Sequence, residues 1–221
     1  MKPLYRIGYF LFGSVFKTFF RLKVYGGECI PRGKALIAAN HQSYVDPPVI
    51  GSAMQQEIWY LAREDLFRFG PFQWLCVRVN TIPVRRRHAD RSALKAVLEK
   101  LAEGRKVLIF PEGTRCLDGQ LQAPQTGIAL LAHKSGAPVV PAYVSGTFEV
   151  LPRGRAMVRF HPISVSFGQP LRFNEQSAVG GAKHAYEAFS RQVMDAIAGL
   201  KTGLESRPAR KQPTPSFSRR A

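Results

Sequence analysis

His41 and Asp46 stand five positions apart in Asn40-His41-Gln42-Ser43-Tyr44-Val45-Asp46, directly after a short apolar run. An imidazole held by a carboxylate is a general base fixed in one tautomer, able to take a proton from an attacking hydroxyl. On a straight helix, side chains five apart diverge by about 140°. The pair can therefore meet only if His41 lies in a loop and a helix starts near Asp46. Pro47 fits that arrangement, since proline is favoured at the first helical position and Asp46 would then take the N-cap. The plainer alternative is that Asp46 is only a cap and His41 only a loop residue.

A second apolar run ends in Phe110-Pro111-Glu112-Gly113-Thr114-Arg115. Glu112 can accept hydrogen bonds from a polyol hydroxyl, Gly113 lets a ligand approach the backbone, and the planar fork of Arg115 can grip a phosphate. The alternative is a tight turn closed by an ion pair between Glu112 and Arg115. A third run, Thr81-Ile82-Pro83-Val84, leads into Arg85-Arg86-Arg87. These arginines are either a landing place for an anionic headgroup or a solvated basic turn, the usual fate of a charge run. Cys116 borders the second loop and reads as a spectator thiol, because no histidine neighbours it in sequence. His88, His133, His161 and His184 lack metal-ligand spacing, so no metal is expected. Phe67, Phe69, Phe72 and Trp74 flank Gly70-Pro71 and suit an acyl tunnel, a lipid contact or plain core packing. Ser145-Gly146-Thr147 reads as the end of a strand.

These loops need a scaffold. Residues 34–39, 58–62, 79–84, 106–110 and 139–144 are short apolar strands of the buried type. Between the third and fourth, Leu94, Val97, Leu98 and Leu101 repeat at helical spacing, with Asp90 as a cap and Gly104 as a stop. A second helix over 125–135 ends at Gly136, and Tyr186, Phe189, Val193 and Ile197 mark one face of a closing helix. Residues 157–167 alternate like a late, antiparallel strand or hairpin. The alternation of strand and helix predicts a single α/β domain over 26–200, a mostly parallel mixed sheet with helices on its faces.

The chain has 221 residues, 45% of them hydrophobic, enough for a real core and too apolar for a disordered chain. Three cysteines without a C-x-x-C spacing exclude a disulfide framework or a thiolate zinc site within the chain. The formal charge of +17 calls for a polyanionic partner. The excess gathers at the ends, at 1–40 and in a basic, Pro-containing tail over 201–221 that reads as disordered. Residues 1–25 are aromatic and interrupted by Arg6, Lys17, Arg21 and Lys23, and their uninterrupted apolar run is about half a bilayer span. They predict an amphipathic helix in the membrane interface, cations towards acidic lipids. A nucleic-acid-binding protein is the rival reading, disfavoured because aromatics and cations do not form one basic groove, and no nucleic-acid partner is expected.

Taken together, Asn40-His41-Gln42-Ser43-Tyr44-Val45-Asp46, Phe110-Pro111-Glu112-Gly113-Thr114-Arg115 and Val139-Val140-Pro141-Ala142-Tyr143 resemble the glycerolipid acyltransferase superfamily, specifically its 1-acylglycerol-3-phosphate acyltransferases. The resemblance runs over about residues 26–170. Arg86 takes the position of the family's phosphate-binding arginine, with Arg85 where an acid is common and Cys116 where serine is common. The resemblance implies transfer of a fatty acyl group from acyl-coenzyme A or acyl carrier protein to the free hydroxyl of lysophosphatidate. His41 and Asp46 would be catalytic, Arg86 and Arg115 would bind the phosphate, Glu112 the glycerol portion, and Gly113 and Thr114 would complete the binding loop. The thioester is a co-substrate and no cofactor is implied. Another lysolipid, such as a lyso-aminolipid, or glycerol-3-phosphate is the alternative acceptor. The implied location is the cytoplasmic face of a membrane, peripheral or monotopic.

Overall fold

Apolar side chains fill both faces of the central strands, as a sheet covered on both sides requires. Ala35, Ile37 and Ala39 of one strand enter one core, while Leu36 and Ala38 between them enter the other. The structure, a computed structural model, describes residues 3–64, 80–84, 91–155, 157–174 and 181–206. Its elements are α1 (Pro3–Phe19), β1 (Lys23–Tyr25), a 3-10 turn (Gly27–Cys29), β2 (Ala35–Ala39), α2 (Asp46–Ala53), β3 (Ile58–Arg63) and β4 (Thr81–Val84). They continue with α3 (Arg91–Ala102), β5 (Lys106–Ile109), α4 (Gly127–Ser135), β6 (Val139–Ser145), α5 (Thr147–Val150), β7 (Ser164–Phe167) and α6 (Ala182–Glu205).

The strands form one sheet in the order β1-β7-β6-β2-β5-β3-β4. Neighbours are parallel except for β6 and β7. Helices α1 and α2, with Phe20 just after α1, supply Phe16, Phe20, Val49 and Ile50 to one core. Helices α3, α4 and α6 supply Val97, Leu101, Ile128, Phe189, Val193 and Ile197 to the other. The chain is thus the predicted α/β domain with a mixed, mostly parallel sheet between helices.

Three elements differ from their sequence patterns. The segment 1–25 is not one helix. Arg21 takes a left-handed φ of 48°, the Leu22 N–H returns to the Phe16 carbonyl at 3.0 Å, and Lys23–Tyr25 joins the sheet beside β7. Phe16 and Phe20 are core residues, so this helix is tied into the domain at its C-terminal end. Of the expected strand over 157–167, only Ser164–Phe167 pairs, antiparallel to β6, while Met157, Val158 and Phe160 are exposed. Helix α6 continues to Glu205 with Leu204 against the core, so helix occupies the start of the expected tail. Asp90, Phe67, Phe69, Phe72, Trp74, His88 and residues 207–221 lie outside the described residues.

Candidate active site

The two loops singled out in the sequence leave adjacent parallel strands. Ala38 of β2 lies opposite Ile109 of β5, and Ala39 lies opposite Ala142 of β6. The residues that follow emerge side by side at the carboxyl ends of the strands, where open α/β sheets place their ligands.

The first loop is pinned before it reaches the helix. Asn40, buried, donates from Nδ2 to the Val144 carbonyl at 3.0 Å and accepts the Val144 N–H on Oδ1 at 2.7 Å. Its side chain thus extends the backbone ladder of β2 and β6 by one step. Gln42 Nε2 donates to the same Val144 carbonyl at 2.8 Å and to Thr147 Oγ1 at 3.0 Å. Ser43 Oγ donates to the Leu151 carbonyl at 2.7 Å. Thr147 therefore does more than follow a strand, since its hydroxyl holds the loop.

Asp46 is the first residue of α2, with Val45 as the N-cap and Pro47 and Pro48 in the first turn. Its carboxylate does not cap the helix. It turns back over the loop, where Oδ2 accepts the N–H groups of Gln42 at 2.8 Å and Ser43 at 2.7 Å. The same oxygen meets His41 Nδ1 at 2.8 Å. Asp46 is fully buried, and the His41 side chain is 18% exposed. The imidazole also lies flat on Phe110, ring centroids 3.8 Å apart and planes 14° apart. A carboxylate on Nδ1 keeps the proton there and leaves Nε2 with its lone pair, while the Phe110 stack fixes the ring plane. This geometry suits a general base.

The second loop locks onto the first. Glu112 Oε1 accepts the His41 N–H at 3.0 Å, and the Cys116 N–H donates to the His41 carbonyl at 2.9 Å. Burial pushes the Glu112 carboxyl up to about 7, against the opposing pull of backbone hydrogen bonds from His41 and Gln122. Its Oε2 is buried without a hydrogen-bond partner. The Glu112–Arg115 ion pair that would make this a mere turn does not form. The Arg115 guanidinium lies over the Tyr44 ring instead, 3.4 Å from its centroid, and its Nη1 is buried without a hydrogen-bond partner. Gly113 has φ 69°, and a Cβ there would run into the Gln125 side chain. Thr114 is exposed on the same turn. Burial raises the Cys116 thiol pKa, which suits a spectator rather than a thiolate nucleophile.

Six of the seven expected residues, His41, Asp46, Glu112, Gly113, Thr114 and Arg115, thus share one region, and Arg86 lies outside the described residues. Sequence reasoning missed the supporting set of Asn40, Gln42, Tyr44, Phe110 and Thr147. Polar residues just after a buried strand were the available signal for Asn40 and Gln42. Their partners on β6 and α5 lie about a hundred residues away and had none.

The pattern of the Acyltransferase family matches residues 21–145, more than half of the chain, and includes both loops. The chain belongs to the Acyltransferase family. Among relatives within it, the chain is 29% identical over 147 residues to 1-acyl-sn-glycerol-3-phosphate acyltransferase BAT2 of Brassica napus, covering 65% of this chain and 42% of that protein. It is 29% identical over 153 residues to the 1-acyl-sn-glycerol-3-phosphate acyltransferase of Bacillus subtilis, covering 68% and 73%. It is also 29% identical over 127 residues to the lyso-ornithine lipid O-acyltransferase of Pseudomonas aeruginosa, covering 57% and 48%. The chain thus spans about two fifths of the plant relative's length and about three quarters of the Bacillus one. The crystal structure of the acyltransferase PlsC from Thermotoga maritima shares the fold, with a TM-score of 0.73 over 95% of this chain and 86% of that one at 24% identity.

Proposed function

We propose that this Acyltransferase family member transfers a fatty acyl group from a thioester, acyl-coenzyme A or acyl carrier protein, to the free hydroxyl of lysophosphatidate, forming phosphatidate. The observation that carries the reading is the pairing of His41 Nδ1 with Asp46 Oδ2 at 2.8 Å, beside a buried guanidinium nitrogen with no hydrogen-bond partner on Arg115. Two relatives named for this activity support the choice of acceptor.

In this reading His41 Nε2 takes the proton from the acceptor hydroxyl as its oxygen attacks the thioester carbonyl. Asp46 holds the ring and stabilises the imidazolium. The tetrahedral intermediate collapses, the carbon–sulfur bond breaks, and the proton on Nε2 passes to the departing thiolate. No acyl-enzyme forms, and the reading invokes no metal or cofactor. Arg115 and Arg86 hold the phosphate, and Glu112 with the Gly113-Thr114 turn receives the glycerol portion. The enzyme works from a membrane surface, because its acceptor and product are lipids.

The test is acyl transfer in mixed micelles containing lysophosphatidate, with each thioester in turn. Phosphatidate should form, and His41→Ala should lower the rate by about 10²- to 10⁴-fold while the protein stays folded. Undiminished turnover in the folded variant would sink the assignment. The Pseudomonas relative, named for a lyso-ornithine lipid, motivates a second reading in which the acceptor is a lyso-aminolipid. Arginine pairs with carboxylates as well as phosphates. Product from that acceptor alone, with none from lysophosphatidate, would favour it.

A further inference from the structure

Residues 151–155 and 157–163, between α5 and β7, contact the candidate site at one end and helix α1 at the other. At its near end Ser43 bridges Pro152, Ser43 Oγ donates to the Leu151 carbonyl, and Arg153 Nη1 donates to the Arg115 carbonyl at 3.4 Å. The Arg159 N–H returns to the Val150 carbonyl at 2.9 Å. At its far end the Ile163 N–H donates to the Phe20 carbonyl at 2.8 Å, and the Phe160 ring lies against Phe19 and Phe20, centroids 6.0 and 5.6 Å away. The described residues on both sides of Ala156 are therefore fastened, yet 157–160 turn large apolar groups outward. Met157 is 78% exposed, Phe160 is 74% exposed, and Val158 is about half exposed. Exposed Arg155 and Arg159 are interleaved with them.

Apolar side chains that stay exposed on a fastened segment, with arginines between them, match the layered chemistry of an acidic bilayer. The apolar groups enter the acyl boundary while the guanidinium groups remain at the phosphates. The geometry points to a second lipid-docking element at Met157, Val158 and Phe160, continuous with α1 through Phe19, that seats the mouth of the His41–Asp46 site on an acidic phospholipid surface. This deepens the proposed function and rests on it only for the statement that the docked site acts on lipid.

Co-sedimentation of the full chain with phosphatidylglycerol–phosphatidylcholine vesicles tests the docking directly. Met157→Asp and Val158→Asp should each weaken vesicle binding by roughly tenfold, because each puts a charge where an apolar side chain would enter the acyl boundary. Arg155→Gln with Arg159→Gln should weaken binding to acidic vesicles by roughly fivefold per arginine, an effect that fades at high salt. Thermal melting should not move, and Met157 and Val158 keep the test clear of Phe160, whose packing on α1 could affect folding. Full vesicle binding by both Asp variants would overturn the proposal. So would sensitivity to the arginines alone, which would describe a polyanion surface of the kind that also takes nucleic acid. A short-chain, monomeric lysophosphatidate separates the two readings. Turnover of it should be equal in wild type and Met157→Asp, whereas its absence in wild type would count against the proposed acceptor and leave the vesicle result standing.

Discussion

Glu112 couples the chemistry of the site to its stability. Its carboxyl sits at about 7 in the folded chain because burial disfavours the charge, whereas the unfolded chain carries the ordinary value of 4.5. Between these values the unfolded state has released a proton that the native state keeps, so this residue's contribution to stability falls as pH rises from about 4.5 to about 7, then levels off. Glu112→Gln keeps an oxygen for the His41 N–H and removes the titration. The melting temperature of the wild type should therefore decline relative to Glu112→Gln across that window, and parallel curves would refute the burial account. The residues around Glu112 show why a sequence motif alone could not settle the local geometry. Asp46 was legible as a partner of His41 and equally as a helix cap. The loop's own N–H groups, those of Gln42 and Ser43, decide between the two by drawing the carboxylate backwards.

Among elements, the turn between β6 and α5 carries more than its sequence suggested. Gly146 has φ 88°, and a Cβ there would strike the Pro162 carbonyl oxygen, which is backbone and cannot step aside. Gly146→Ala should cost roughly 2 kcal/mol or more from left-handed strain plus the clash. It should also lower turnover, since Thr147 next to it holds Gln42. Gly33 is the control, with φ 89° and open space around its Cβ position. Gly33→Ala should show the conformational strain alone, about 1 kcal/mol. Equal losses for the two variants in urea unfolding would mean that the contact with Pro162 has no weight. The strands that bring the loops together were legible as apolar runs. Edge strand β1 was not, because three residues of Lys-Val-Tyr carry no pattern until β7 offers them a partner.

For the whole molecule, α1 and the residue after it divide their large apolar side chains between two environments. Phe16 and Phe20 are buried in the core, whereas Phe10 and Leu11 are 61% and 62% exposed. No helix among the described residues is long and apolar enough to cross a membrane. The net charge of +17 adds long-range attraction to an acidic surface. Phe10→Ser with Leu11→Ser should leave the melting temperature unchanged and reduce co-sedimentation with acidic vesicles by roughly tenfold. Phe16→Ala should instead cost about 3 kcal/mol or more of stability through the cavity it leaves. Retained vesicle binding in the Phe10/Leu11 variant would remove α1 from the membrane contact. Removing residues 1–25 outright is a poor test of lipid binding, since it takes away β1 and two core rings as well.

The sequence by itself determined the α/β alternation and the two polar loops after buried strands, and it offered an imidazole and a carboxylate five positions apart whose pairing it left open. These are local facts, expressed in hydrophobic periodicity and in residue types a few positions apart. Tertiary structure alone decided that the loops meet, because adjacency of β2, β5 and β6 depends on strand order and not on chain order. It also turned Asp46 back onto His41, set the orientation of His41 through Phe110, laid Arg115 over Tyr44 instead of pairing it with Glu112, left Met157 exposed, and set Phe160 against Phe19 of α1. Each of these joins residues distant in sequence or decides between near-neighbour alternatives, and only packing does either.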